Sequence, residues 1–185
     1  EGVAADSRTP TYAATRLAID NDRWRGVPFV VSGGKALDRH LSEVTLHFHT
    51  PDRGTIPGGR DGTDAANRLV IRVQPDAGVH LHILGKRPGL ELQSEWTSLD
   101  LSYGGANDAD LPDAYECMLL DVVHGDQTLF LRADECAASW DVFTPLLHAL
   151  DQPCDEPLPY AAGSGGPSWP APLQRALGQP PDGSP

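Results

Sequence analysis

A chain of 185 residues can bury a core and falls in the size range of one domain, or of one domain with a trailing segment. Its 14 Lys and Arg against 26 Asp and Glu give a formal charge of −12, the wrong sign for counterion-release binding to a polyanion, which excludes nucleic acid as an expected partner. No run of eighteen apolar residues is present, the first residues carry no leader pattern, and Cys117, Cys136 and Cys154 form no C-x-x-C pair, so no membrane segment is expected and reduced thiols in the cytoplasm are.

From Thr11 to Asp20 the residues alternate, with Ala13, Thr15, Leu17 and Ile19 opposed to Tyr12, Arg16 and Asp20, as in a half-buried strand. Val27 to Val31 is a short apolar run stopped by Ser32-Gly33-Gly34, a strand ending in a glycine loop that presents Lys35. Glu43 to His49 alternates again, with Val44, Leu46 and Phe48 on one side. Thr50 to Ala66 is rich in Pro and Gly and reads as a surface loop. Asn67 to Gln74 sets Leu69, Ile71 and Val73 against Arg68, Val70, Arg72 and Gln74. Gly78 to Leu84 repeats the pattern after a Pro75-Asp76 turn, which predicts a hairpin. A sixth strand, Trp96 to Tyr103, puts Leu99, Leu101 and Tyr103 on one face.

The period then changes. Tyr115, Met118, Leu119 and Val122 recur at helical spacing between Pro112 and His124, and Gly125 follows. Asp113 and Glu116 near that start favour the helix dipole and are assigned to structure. A second helix begins near Asp134 as N-cap and carries Cys136, Trp140, Phe143, Leu147 and Leu150 on one stripe, with Pro145 expected to bend it. Strands followed by amphipathic helices predict an α+β fold, a mainly antiparallel β-sheet with helices packed on one face, over residues 1–150. Nine of the 17 prolines lie in the last 35 residues, so 151–185 reads as a Pro/Gly-rich extended tail.

Four segments stand in register: Arg23-Trp24-Arg25-Gly26-Val27-Pro28-Phe29 leading to Gly34-Lys35-Ala36-Leu37; Asn67 through Pro75; Pro112-Asp113-Ala114-Tyr115-Glu116; and Gly125 through Phe130. With Leu99 to Tyr103 and Ala162 to Pro167 they resemble the carboxy-terminal part of the glucose-6-phosphate dehydrogenase family over nearly the whole chain. The resemblance implies a parent enzyme that oxidises D-glucose 6-phosphate to the 6-phosphogluconolactone with NADP, the entry step of the pentose phosphate pathway. Neither the family's histidine base nor its Gly-rich dinucleotide fingerprint occurs here. The chain is therefore expected to be a fragment whose start is truncated, inactive alone, with NADP bound mainly by an amino-terminal domain it lacks. Lys35 then corresponds to a lysine near the sugar phosphate and Gln74 to a glutamine touching substrate. His40 stands where the family commonly has a second basic residue, and histidine is the weaker cation at neutral pH. Of the second, structural NADP site that the mammalian form holds on this domain, Arg72 and Asp100 have counterparts, whereas Ser32, Leu41 and Thr45 replace basic residues, so that site is expected to be absent.

The resemblance also implies a homo-oligomer formed through the sheet. The competing reading is a catalytically inactive, stand-alone binding or oligomerisation module derived from the same domain. Judged from the residues alone, Lys35 reads as a solvated loop lysine, and Gln74, Arg72 and Arg68 as a water-facing sheet face. His47-x-His49 and His80-x-His82 could aim four imidazoles at zinc, but most such histidines are polar-face residues, and no metal is expected.

Overall fold

The computed structural model describes residues 7, 9–49, 66–91, 93–103, 114–150 and 157–169. In chain order they form β1 (Tyr12–Leu17), β2 (Phe29–Gly34), β3 (Ser42–His47), β4 (Arg68–Gln74), β5 (Gly78–Lys86), β6 (Ser94–Ser102), α1 (Ala114–His124) and α2 (Ala133–Leu150). All six expected strands and both helices occur in the expected order, and the class is α+β with antiparallel strand pairing. The strands divide between two sheets, however: β1 pairs with β2, and β3-β4-β5-β6 form a four-stranded sheet in sequence order. Alternation assigns a residue to a face but carries no information on where the hydrogen-bonded ladder stops. The described residues fall into two compact units, one within Glu1–Arg39 and Leu129–Pro185, the other within His40–Thr128. Residues 50–65 of the loop expected from Thr50 to Ala66, Pro112, Asp113 and Cys154 lie outside the described residues. No described helix is long and apolar enough to cross a membrane.

In the first unit, β1 and β2 are antiparallel, running from Tyr12 opposite Gly34 to Leu17 opposite Phe29. Between them the Asn21 side chain accepts from the Trp24 amide at 2.8 Å, an asparagine acting as a surrogate backbone acceptor in a turn. The Trp24 ring meets Phe29 edge-on at 5.4 Å. Tyr12 lies edge-on to Tyr160 at 5.8 Å and 5.7 Å from Trp169. Two glycines make room for this ring. A Cβ on Gly34 would stand 2.5 Å from Tyr12 Cδ2, and one on Gly166 would stand 2.7 Å from Cε2. Gly34→Ala is accordingly expected to cost about 1–3 kcal/mol, the usual range for overpacking. Gly33→Ala, which meets nothing within 4 Å, should cost far less. Thermal unfolding of the two variants checks this; equal losses would contradict it.

Helix α2 starts earlier than the N-cap expected at Asp134. The Arg132 carbonyl accepts the first helical bond from Cys136 at 3.0 Å, and Glu135 reaches back to the Arg132 amide at 2.9 Å. This is the return half of a capping box, with Glu135 at the third helical position. Asp134 instead engages the Arg132 guanidinium. The helix runs through Pro145 to Leu150.

In the second unit, the expected β4–β5 hairpin forms around a cis Gln74–Pro75 bond and Asp76 at φ 53°. Register turns the alternation of each strand into rows across the sheet. Val44, Ile71, Val79 and Leu101 make one apolar row, and Leu46, Leu69, Leu81 and Leu99 the next. The opposite face carries Thr45, Val70, His80 and Asp100, then His47, Arg68, His82 and Ser98. Burial runs against polarity. Val70, on the polar face, is 9% exposed, while Val44, Leu99 and Leu101 on the apolar face are 55, 59 and 53% exposed. In the apolar rows Leu69, Val79 and Leu81 are half-buried and the other members exposed, and the stripes of α1 and α2 expected to cover a sheet face are exposed.

Candidate functional site

The three expected substrate residues sit at strand ends. Lys35 follows directly on β2, and its amide donates to the Thr11 carbonyl at 2.8 Å, extending the β1–β2 ladder by one step. Ala36 then takes φ 51°, a left-handed conformation that costs a residue with a Cβ about 1–2 kcal/mol. A distant segment holds this loop. The Gly163 amide donates to the Ala36 carbonyl at 2.8 Å, the Asp38 amide donates to the Ser164 carbonyl at 3.0 Å, and Leu37 forms a parallel bridge with Ser164. The Tyr160 hydroxyl lies 2.7 Å from the Lys35 carbonyl, 3.0 Å from the Thr11 carbonyl and 3.1 Å from Thr11 Oγ1. The Lys35 side chain is exposed and makes no ion pair among the described residues.

Gln74 is the last residue of β4, exposed, and pairs with Ser42 at the start of β3, where a bulge separates Ser42 from Glu43. His40 is exposed just ahead of β3, so the entry to that strand stands beside Gln74. Lys35 belongs to the first unit, His40 and Gln74 to the second.

The polar face of the four-stranded sheet holds its own network. His80 Nδ1 lies 2.7 Å from Asp100 Oδ1, and the Ser98 hydroxyl donates to Asp100 Oδ2 at 2.6 Å. The bond from Ser98 first, and that from His80 next, hold the Asp100 carboxyl below its ordinary value. Arg72 reaches Glu43 at 3.5 Å, and its Nε is buried without a hydrogen-bond partner among the described residues. The four histidines weighed for zinc do not converge. Arg68 stands in the register between His47 and His82, and among the described residues no three His, Cys, Asp or Glu are grouped to hold a metal.

The family model described as glucose-6-phosphate dehydrogenase, C-terminal domain, matches residues 1–177. The chain belongs to this family. It is similar to the glucose-6-phosphate 1-dehydrogenase of Dictyostelium discoideum, 46% identical over 179 residues that cover 96% of this chain and 35% of that protein. To the cytoplasmic glucose-6-phosphate 1-dehydrogenase 5 of Arabidopsis thaliana it is 41% identical over 169 residues, covering 90% and 32%. A solved glucose-6-phosphate dehydrogenase in complex with its substrate glucose 6-phosphate superposes with a TM-score of 0.77 at 36% identity, over 96% of this chain and 36% of that one. The enzyme from Mycobacterium avium gives 0.75 at 34% identity, over 100% and 37%. The chain thus spans about a third of the length of the relatives it matches.

In this glucose-6-phosphate dehydrogenase C-terminal domain, the positions weighed for a structural NADP carry few charged donors. The two residues expected to remain from a structural NADP site are engaged elsewhere, Arg72 with Glu43 and Asp100 with His80 and Ser98. Leu41 and Thr45 supply no cation. Nucleotide phosphates are held by charged donors, and of the residues weighed for a second NADP in this unit only Arg72 carries a positive charge. Sequence reasoning missed Tyr160, Gly163 and Ser164 as supports of the Lys35 loop. The Ala162 to Pro167 segment did stand out as family-like, but a contact spanning 125 residues leaves no local pattern.

Proposed function

We propose that this chain is the part of an NADP-dependent glucose-6-phosphate dehydrogenase that forms one wall of the sugar-phosphate site and the contact between subunits. The parent protein transfers hydride from D-glucose 6-phosphate to NADP in the cytoplasm, yielding 6-phosphogluconolactone at the head of the pentose phosphate pathway. Residues 1–150 supply the sheet domain and 151–185 the trailing segment. Lys35 offers the substrate phosphate a cation, Gln74 an amide to the sugar, and His40 a second donor. The base and the nicotinamide site come from the rest of the parent protein, and this chain contributes no catalytic residue. The apolar sheet face is the homo-oligomer contact; neither nucleic acid nor membrane is a partner.

The observation that carries this reading is Lys35: an exposed ammonium on a loop whose main chain is tied at Thr11, Tyr160, Gly163 and Ser164. A loop fixed in advance loses less entropy on binding. NADPH formation from glucose 6-phosphate tests it. The full-length protein should turn over, and the isolated 185-residue chain should stay at the buffer rate. A full-length protein without turnover would favour the inactive binding module, for which His40 in place of a stronger cation is the supporting observation.

A further inference from the structure

Tyr160 directs its hydroxyl to the main chain of Lys35, the lysine proposed above for the substrate phosphate. The oxygen reaches the Lys35 carbonyl at 2.7 Å and the Thr11 carbonyl at 3.0 Å, and that same Thr11 carbonyl accepts the Lys35 amide at 2.8 Å. A phenol has one proton to give, and the shorter contact is with Lys35. Its ring is fixed from the side by the edge of Tyr12, which Gly34 and Gly166 leave room for. Immediately after Lys35, the left-handed Ala36 is retained by the Gly163 amide and the Leu37–Ser164 bridge. A strained residue persists where its surroundings over-determine it, and such places cluster at ligand clamps.

We infer that Tyr160 is a positioning residue for the sugar-phosphate site: its hydroxyl fixes the Lys35 backbone and with it the point from which the ammonium is presented. The inference rests on the assignment of Lys35 to the substrate phosphate. A long, flexible lysine side chain gives up rotamer entropy when it grips a ligand. Fixing the Cα removes the further cost of ordering the loop, so the hydroxyl acts on substrate affinity without touching substrate.

The test is a double-mutant cycle in the full-length protein with Tyr160→Phe, Lys35→Ala and both together. Phenylalanine keeps the ring against Tyr12 and deletes the hydroxyl alone. Tyr160→Phe should raise the KM for glucose 6-phosphate roughly 3- to 10-fold, the equivalent of one hydrogen bond. The kcat and the KM for NADP should change little. On the Lys35→Ala background the same substitution should add almost nothing. Amide exchange should quicken at Lys35 and leave the β1–β2 ladder at Thr15 and Val31 as it was. An equal rise in KM on both backgrounds, no rise where Lys35→Ala does raise it, or exchange that quickens across the whole unit would overturn this inference and leave the phosphate assignment standing. A Lys35→Ala variant with unchanged kcat/KM would sink both.

Discussion

Lys35→Ala in the full-length protein is expected to lower kcat/KM for glucose 6-phosphate by about 10- to 100-fold and to leave the KM for NADP near its starting value. A hydrogen bond to a charged group contributes about 1.5–3 kcal/mol, and each 1.4 kcal/mol is about a factor of ten. The side chain is exposed and its loop is held by main-chain bonds and Tyr160, so truncation leaves the fold in place. The loss is therefore a binding loss. If the phosphate is gripped equally in the ground and transition states, it appears in KM; if the grip tightens as hydride leaves, part of it moves to kcat. Lys35→Arg should recover only part, because a planar, longer guanidinium places its donors differently from a compact ammonium. Steady-state rates below KM decide the matter, and an unchanged kcat/KM would remove Lys35 from the site.

Leu99→Lys is expected to weaken subunit association of the full-length protein by at least 100-fold. Leu99 lies in the row Leu46, Leu69, Leu81, Leu99 and is 59% exposed, so a longer polar side chain fits the sheet of one subunit without disturbing it. Once that face meets another subunit, the ammonium must be stripped of water, at a cost of several kcal/mol for an unpaired charge. A two-fold contact counts the substitution twice. Ser102→Lys, on the same strand and the opposite face, serves as the control and should leave association intact. Sedimentation across a dilution series reads both variants. Wild-type-like assembly of Leu99→Lys would mean that the apolar rows are covered by something other than a second copy.

The sheet face explains why a chain with a well-formed ladder buries so little. Two complete apolar rows cross all four strands, yet Val70 on the polar side is less exposed than the row residues Val44, Ile71, Leu99 and Leu101. Each apolar row would gain about 25 cal/mol per Å² on leaving water. That gain is what the proposed subunit contact would realise.

Much of this was legible residue by residue. Alternation at Val44, Leu46 and at Leu69, Ile71 placed two strands and their faces, and the helical spacing from Tyr115 to Val122 placed α1, because a period of 2 or 3.6 is imposed by local backbone geometry. Lys35 and Gln74 were singled out only by the resemblance of their segments to the family, since by local pattern alone they read as a solvated loop lysine and a water-facing sheet side chain. What tertiary structure alone decided is which stretches meet. It divided six strands between two sheets, set His80 opposite Asp100, and brought Tyr160 back across the chain to the Lys35 carbonyl. Such pairings are chosen by register and by closing long loops, whose cost grows only slowly with separation. A residue far away in sequence is thus nearly as available a partner as one close by, and no local pattern records which is taken.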